Sequence, residues 1–278
     1  MISLVLNKLM LVVTTWIGPL LAVATEGGEK AAEGGAPKLP SLVELLFGPD
    51  SVAEHWVNVI YAFAIGVFLS LVCMRVYAKR QMIPGKLQNA VEMMVEGMYN
   101  FIESILGKDA KKYIPYLGSL FFYILFMNWI GMIPLGHSPS TSLSITFSLA
   151  ILTFLYAQWT GMRKLGVGGY LYHMAGSPAD GVSWGFCWLI FVIHVIGEFA
   201  KPISLSLRLY GNITGEDTLI AVFVGLGIAV LAFSPVGVPL QIPFYFLGLL
   251  LSTIQAVVFT LLSTIYIFMM LPHEEHAH

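Results

Sequence analysis

The chain has 278 residues, of which 57% are hydrophobic and 11% charged, with a formal net charge of −2. A soluble domain carries about a quarter charged residues, so this composition excludes an ordinary soluble protein and defines an integral membrane protein in contact with lipid. Near-neutral charge gives no support to nucleic acid as a partner. Cys73 and Cys187, each in an apolar run, provide neither a disulfide framework nor metal-ligand spacing, and no cofactor is expected.

Residues 1–24 combine one Lys, an apolar run and Ala22-Val23-Ala24, the small-residue pattern of a signal-peptidase site, and are expected to be a cleaved signal-like segment. The alternative is a short extra span, but Leu9 to Ala24 is brief for spanning and contains Gly18-Pro19. Residues 25–54 form an external N-terminal tail, in which TEGGEKAAEGGAPKLP has linker composition. A transmembrane domain is assigned to residues 55–272 and a cytoplasmic tail to 273–278.

Candidate spans lie near 56–74, 116–134 and 143–162, followed by two longer apolar segments, 184–233 and 240–271. Arg75, Lys79, Arg80 and Lys86 follow the first span, Lys108, Lys111 and Lys112 precede the second, and Arg163 and Lys164 follow the third. The positive-inside rule makes all of these cytoplasmic and places Glu44, Asp50 and Glu54 outside. Between the first two spans, Leu87, Val91, Met94, Met98, Phe101, Ile102 and Ile105 recur at helical spacing, with Glu92, Glu96 and Glu103 elsewhere on the helix. This is an amphipathic helix at the cytoplasmic surface, serving either as a connector or as a docking face. No internal repeat is apparent, which weighs against inverted-repeat transporters.

The segment 184–233 would be about 75 Å long if helical, against roughly 30 Å of hydrocarbon, so it is either two short spans or one tilted helix that Pro202 could bend. Within it stands Arg208, the last basic residue of the chain. An arginine at bilayer depth costs about 2.5–3.5 kcal/mol on insertion scales and cannot escape by deprotonation. Its helical neighbours are Ser204, Leu205, Gly211, Asn212 and Gly215, a narrow face on which Gly211-x-x-x-Gly215 permits close helix approach. No carboxylate lies three or four residues away. Glu216 and Asp217 are eight and nine residues on, and Glu198 is suitably spaced to pair with Lys201. A partner for Arg208 is therefore expected from another helix or another subunit. Five ionisable residues in one membrane segment (Glu198, Lys201, Arg208, Glu216 and Asp217) point to an ion pathway rather than to a structural arginine.

The run from Lys201 to Asn212, KPISLSLRLYGN, with the acids Glu216 and Asp217 after it, resembles the signature of subunit a of F-type ATP synthases. Ile254-Gln255-Ala256, Leu125-Phe126-Met127-Asn128 with Pro134, and Pro84-Gly85-Lys86-Leu87-Gln88 resemble other parts of that family, so the likeness spans about residues 55–275. The resemblance implies an all-α membrane protein with five transmembrane segments, two of them long tilted helices facing a c-ring, in the bacterial inner membrane with the N-terminus external and the C-terminus cytoplasmic. Residues 234–243, with three prolines, become the external turn between those helices.

The resemblance also implies a non-catalytic stator subunit whose partners are the c-subunit ring, the b-subunit peripheral stalk and other ATP synthase subunits. Two offset half-channels would carry protons to and from the ring, with Arg208 between them. For the outer half-channel the candidates are Asp217, then Glu216, with Asn212 on one helix and Ser252 and Gln255 sharing a face of the other; Gln255 is expected to hydrogen-bond Arg208. His194 is the inner half-channel candidate because imidazole titrates near neutrality. Ser204, Gly211, Gly215, Asn128 and Lys201 are expected to serve structure or interfaces.

Weaker motifs carry less. Gly181-Val182-Ser183-Trp184-Gly185 matches G-x-S-x-G outside the strand–turn–helix context of a hydrolase, and Ser183 reads as a helix N-cap. His273-Glu274-Glu275-His276 lacks the spacing of H-E-x-x-H, and Asn212-Ile213-Thr214, a glycosylation sequon, lies within the membrane segment. There is no phosphate-binding loop, so ATP chemistry belongs to other subunits. The competing reading is a self-contained proton-coupled transporter or channel, which would need its own membrane carboxylate paired with Arg208.

Overall fold

The computed structural model describes residues 56–78, 81, 85–133, 136–174, 181–231 and 242–271. Residues 1–54, positions 234–241 of the external turn, Pro134 and the terminal His273-Glu274-Glu275-His276 lie outside the described residues. Among those described there is no strand. The helices are α1 (Val57–Ala78), α2 (Lys86–Leu106), α3 (Ala110–Met132), α4 (Leu143–Met174), α5 (Gly181–Leu231) and α6 (Ile242–Met269), with 3₁₀ turns at Gly107–Asp109 and Pro139–Thr141. Five helical stretches are long and apolar enough to cross a membrane, in agreement with the five expected spans.

The amphipathic pattern of α2 is realised over its second half: Met98 and Ile102 of the expected face are buried, joined by Leu106, while Met94 is exposed along with Glu92, Glu96 and Glu103. The three buried side chains join Ala110, Tyr113 and Leu117 of α3, Ala157 of α4 and Ile267 of α6 in one cluster. The chain turns from α2 into α3 at Gly107, whose φ of 57° is a left-handed conformation that glycine adopts without a Cβ penalty. Its N–H donates to the Glu103 carbonyl and closes the helix end.

The third candidate span, Leu143–Gly166, agrees with the expected run near 143–162; beyond a break at Gly166, where φ is 71°, α4 continues to Met174. One boundary differs from the sequence expectation: Ser183 is not an N-cap, because the chain is already helical at Gly181 and the serine lies inside α5. A salt bridge of 3.5 Å between Lys164 and Asp109 ties α4 to the turn before α3, placing these charged segments at one end of the bundle. Both side chains are substantially exposed, so the pair contributes at most about 1 kcal/mol.

Of the two alternatives for the segment around Arg208, the single helix is the one formed. α5 is continuous over 51 residues with Pro202 inside it, about 77 Å at 1.5 Å per residue. It packs along α4 and α6, and α6 packs chiefly against α3.

The patterning of α6 reverses that of a soluble helix. Its buried face is mostly small or hydroxylated, with Gly248, Ser252, Ala256, Thr260, Ser263 and Thr264 beside the larger Gln255, Phe259 and Ile267. Phe246, Leu247, Leu250, Leu251 and Ile254 are exposed instead. Lipid tails are as apolar as Leu, so helices in a membrane gain little by hiding apolar side chains and associate through close approach and interhelical hydrogen bonds. The hydroxyls of Thr260, Ser263 and Thr264 donate to the carbonyls four residues earlier, at 2.9, 2.8 and 2.7 Å, and so satisfy themselves within the helix. Leu205, Leu209 and Ile213 of α5 pack into this face beside Ala256 and Phe259, with Leu120, Ile124 and Leu125 of α3.

Candidate functional site

Because α5 buries Leu205, Leu209 and Ile213, helical geometry turns Ser204, Leu207, Arg208 and Gly211 outward. Ala200, Ser204, Leu207, Arg208, Gly211 and Gly215 are all exposed and form a stripe along one side of the helix. A Cβ added at Gly211 or Gly215 would meet nothing within 4 Å, so the close-approach face anticipated from sequence is open within this chain. Among the described residues Arg208 makes no hydrogen bond or ion pair. Its guanidinium thus stands on a smooth, unoccupied helix face.

A quarter-turn away, α5 presents polar groups to α6. Glu216 is buried and accepts hydrogen bonds from the Ser252 hydroxyl, 3.0 Å to Oε2 and 3.3 Å to Oε1. One turn earlier, Asn212 Nδ2 donates to Gln255 Oε1 at 2.7 Å. The set extends to α3 and the 3₁₀ turn: Asn128 Nδ2 donates to the Ser252 carbonyl at 3.3 Å, and the Ser140 hydroxyl donates to Asn128 Oδ1 at 2.8 Å. Four elements therefore meet in a buried polar chain that ends on a carboxylate.

Magnitude indicates what this chain is for. Interhelical hydrogen bonds in membrane proteins average about 0.6 kcal/mol each, whereas burying an ion costs several kcal/mol. The hydrogen bonds are of the kind helix association uses, but a buried carboxylate is not required for it, and an ionisable group inside a membrane segment is a candidate for an ion pathway.

Three expectations require revision or refinement. Gln255 does not hydrogen-bond Arg208; it is engaged with Asn212, because Gln255 is buried between the helices whereas Arg208 points off the outer stripe. Gln255 Nε2 is left buried without a partner among the described residues. Glu216 and Asp217, adjacent in sequence, have different surroundings: Glu216 lies in the α5–α6 interface, while Asp217 is half-buried, makes no hydrogen bond among the described residues and lies near enough to Tyr245 to interact electrostatically. Asn128 forms the expected interhelical hydrogen bond, and through it supports Ser252.

His194 and Lys201 are not brought into this cluster. His194 is exposed and its Nδ1 lies 2.9 Å from the carbonyl of Met174, the last residue of α4. Lys201 pairs with Glu198, as its spacing suggested, and stands 5.2 Å over the Tyr266 ring. Glu198 also accepts from Gln158 Nε2 at 2.8 Å, and Gln158 in turn accepts from the Tyr170 hydroxyl. This second polar cluster lies on the N-terminal side of Arg208 along α5, as the first lies on the C-terminal side.

Sequence reasoning missed Ser140, Gln158, Tyr170, Tyr266 and Gly248, which join the sites only through tertiary packing. For Gln158 a signal existed, since a lone amide in an apolar span seeks a partner. For Gly248, one glycine among 27, there was none.

Together these features define a multi-pass helical membrane protein with an ionisable site built on its last two helices. A family model for the ATP synthase A chain matches residues 57–268. ATP synthase subunit a of Protochlamydia amoebophila is 42% identical over 247 residues, covering 86% of this chain and 91% of that protein. The subunits a of Oleidesulfovibrio alaskensis and Moorella thermoacetica are each 36% identical, covering 80% and 78% of this chain and 87% and 88% of their own. The chain belongs to the ATP synthase A chain family.

Proposed function

We propose that this chain is the ion-translocating stator subunit of an F-type ATP synthase and that Arg208 separates two half-channels, one on either side of it along α5. The observation that carries this reading is an exposed arginine that makes no hydrogen bond or ion pair among the described residues, placed between two polar clusters. A self-contained transporter would be expected to pair that arginine internally.

The orientation from the positive-inside rule puts the C-terminal end of α5 outside. Glu216 is then about 12 Å from Arg208 toward the external side, and His194 about 21 Å toward the cytoplasm, at 1.5 Å per residue. An external proton reaches the level of Glu216 and Asp217 and is passed to a carboxylate on a c-subunit ring sliding along the open stripe. When that carboxylate meets Arg208, the fixed cation favours its ionised form, so its proton must leave on the cytoplasmic side. A guanidinium keeps its own proton at any physiological pH and so blocks direct hopping between the two sides. The small residues Ser204, Gly211 and Gly215 let the ring approach closely. The chain is non-catalytic in this role, and the b-subunit stalk and remaining subunits hold it against the ring's torque in the bacterial inner membrane.

Cysteine cross-linking tests the assignment. In a background without Cys73 and Cys187, a cysteine at Leu207, on the exposed stripe beside Arg208, is expected to cross-link to cysteines on the outer helix of the c subunit in the assembled complex. Failure to do so, while a cysteine at Val67 on α1 does, would place the ring elsewhere.

A further inference from the structure

Gly248 occupies a position of α6 where a side chain would collide with the Glu216 carboxylate. A Cβ built there overlaps Glu216 Oε1, and comes within 2.9 Å of both the carboxyl carbon and Met132 Cε. Gly211 and Gly215 on α5 have open space at the equivalent atom, and Gly131 and Gly136 are crowded by Ser138 and the Ile130 backbone, so among the described glycines Gly248 is the one set against a carboxylate. Gly248 lies one turn before Ser252, whose hydroxyl holds the same carboxylate. The notch left by the missing side chain and the hydroxyl above it together form the seat of Glu216.

We infer that Gly248 is a positioning residue for proton transfer: its missing side chain lets Glu216 extend fully into the α5–α6 interface and present its carboxylate to the Ser252 hydroxyl. The inference rests on the reading of Glu216 as part of the external pathway. Crossing helices bring two backbones close at this point, and a glutamate has the length to bridge the remaining gap only if nothing projects from α6. An alanine there would push the carboxylate off Ser252, and a misplacement near 1 Å can slow a transfer by orders of magnitude. Because the conflict is one of reach, shortening the acid by one methylene, about 1.5 Å, should relieve it.

The test uses the assembled complex in inverted membrane vesicles, reading ATP-driven acidification together with the amount of subunit retained in the membrane. Gly248→Ala is expected to lower pumping on the order of tenfold. Gly248→Ala/Glu216→Asp is expected to recover the rate of Glu216→Asp alone. If Gly248→Ala instead prevents assembly, restoration of assembly by Glu216→Asp supports the same conclusion. Wild-type pumping by Gly248→Ala overturns the inference, as does a double variant no better than Gly248→Ala. Rescue by Met132→Ala but not by Glu216→Asp also overturns it, since the collision would then be with the methionine. Glu216→Gln serves as a separate control: unimpaired pumping in that variant would remove Glu216 from the pathway, which is a failure of the functional reading and not of the geometry.

Discussion

Arg208 and Glu216 share one helix and yet occupy opposite kinds of environment, the first exposed with no hydrogen bond or ion pair among the described residues, the second buried with a hydroxyl on its carboxylate. That division follows from eight residues of helix, which rotate the later side chain by about 80° at 3.6 residues per turn. Asp217, one residue further, lies opposite Arg208 and makes no hydrogen bond among the described residues, so its carboxyl group is held by fewer contacts. Asp217→Asn is expected to reduce proton flux more than Asn128→Ala, because only the former removes a titratable group. The double variant Glu216→Gln/Asp217→Asn should be more impaired than either single change, with a shifted pH dependence of flux in reconstituted complex. An unchanged rate and pH profile would transfer the external pathway to the remaining polar groups around Ser252 and Gln255.

At the scale of elements, much of the architecture was legible in the sequence. The apolar runs marked five hydrophobic segments, and the 3.6-residue pattern of α2 named Met98 and Ile102, which are buried, together with Met94, which is exposed, because both signals depend on local composition. Whether residues 184–233 made one helix or two was not legible from periodicity, since both arrangements have the same repeat. The resemblance carried by KPISLSLRLYGN pointed to the single helix that forms. Asn212, Ser252 and Gln255 could be nominated as polar residues on their helices, but their pairing depends on how α5 crosses α6, which no local pattern encodes. The expected Gln255–Arg208 bond failed for that reason. The small buried face of α6 leads to a test of packing. Ala256→Leu, at a fully buried position against Leu209 and Ile213, is expected to cost about 1–3 kcal/mol and lower the thermal midpoint of the detergent-solubilised complex. Ile254→Leu, on the exposed face, should leave it unchanged; equal effects would mean that α6 packs the other way round.

For the molecule as a whole, the long helices leave an open stripe and an uncompensated cation, an incomplete arrangement that a ring of carboxylates would complete. The purified chain alone in liposomes is therefore expected to conduct no protons above the lipid leak, whereas proton flux should appear with the c-ring and stalk present. Topology follows the same logic. Cysteines at Lys86 and Lys164 should react with impermeant thiol reagents from the cytoplasm and one at Gly237 from outside; labelling of position 164 from outside would invert the assignment of both half-channels.

ATP-driven proton pumping in inverted vesicles carrying Arg208→Ala tests the role of the arginine most directly. Arg208 makes no hydrogen bond or ion pair among the described residues, so its removal should leave the complex assembled in normal amount. Pumping should nonetheless be abolished, and Arg208→Lys should fail as well, because a buried ammonium can lose its proton and lacks the planar guanidinium fork. Normal acidification by assembled Arg208→Ala complexes would contradict the placement of this residue between the two half-channels.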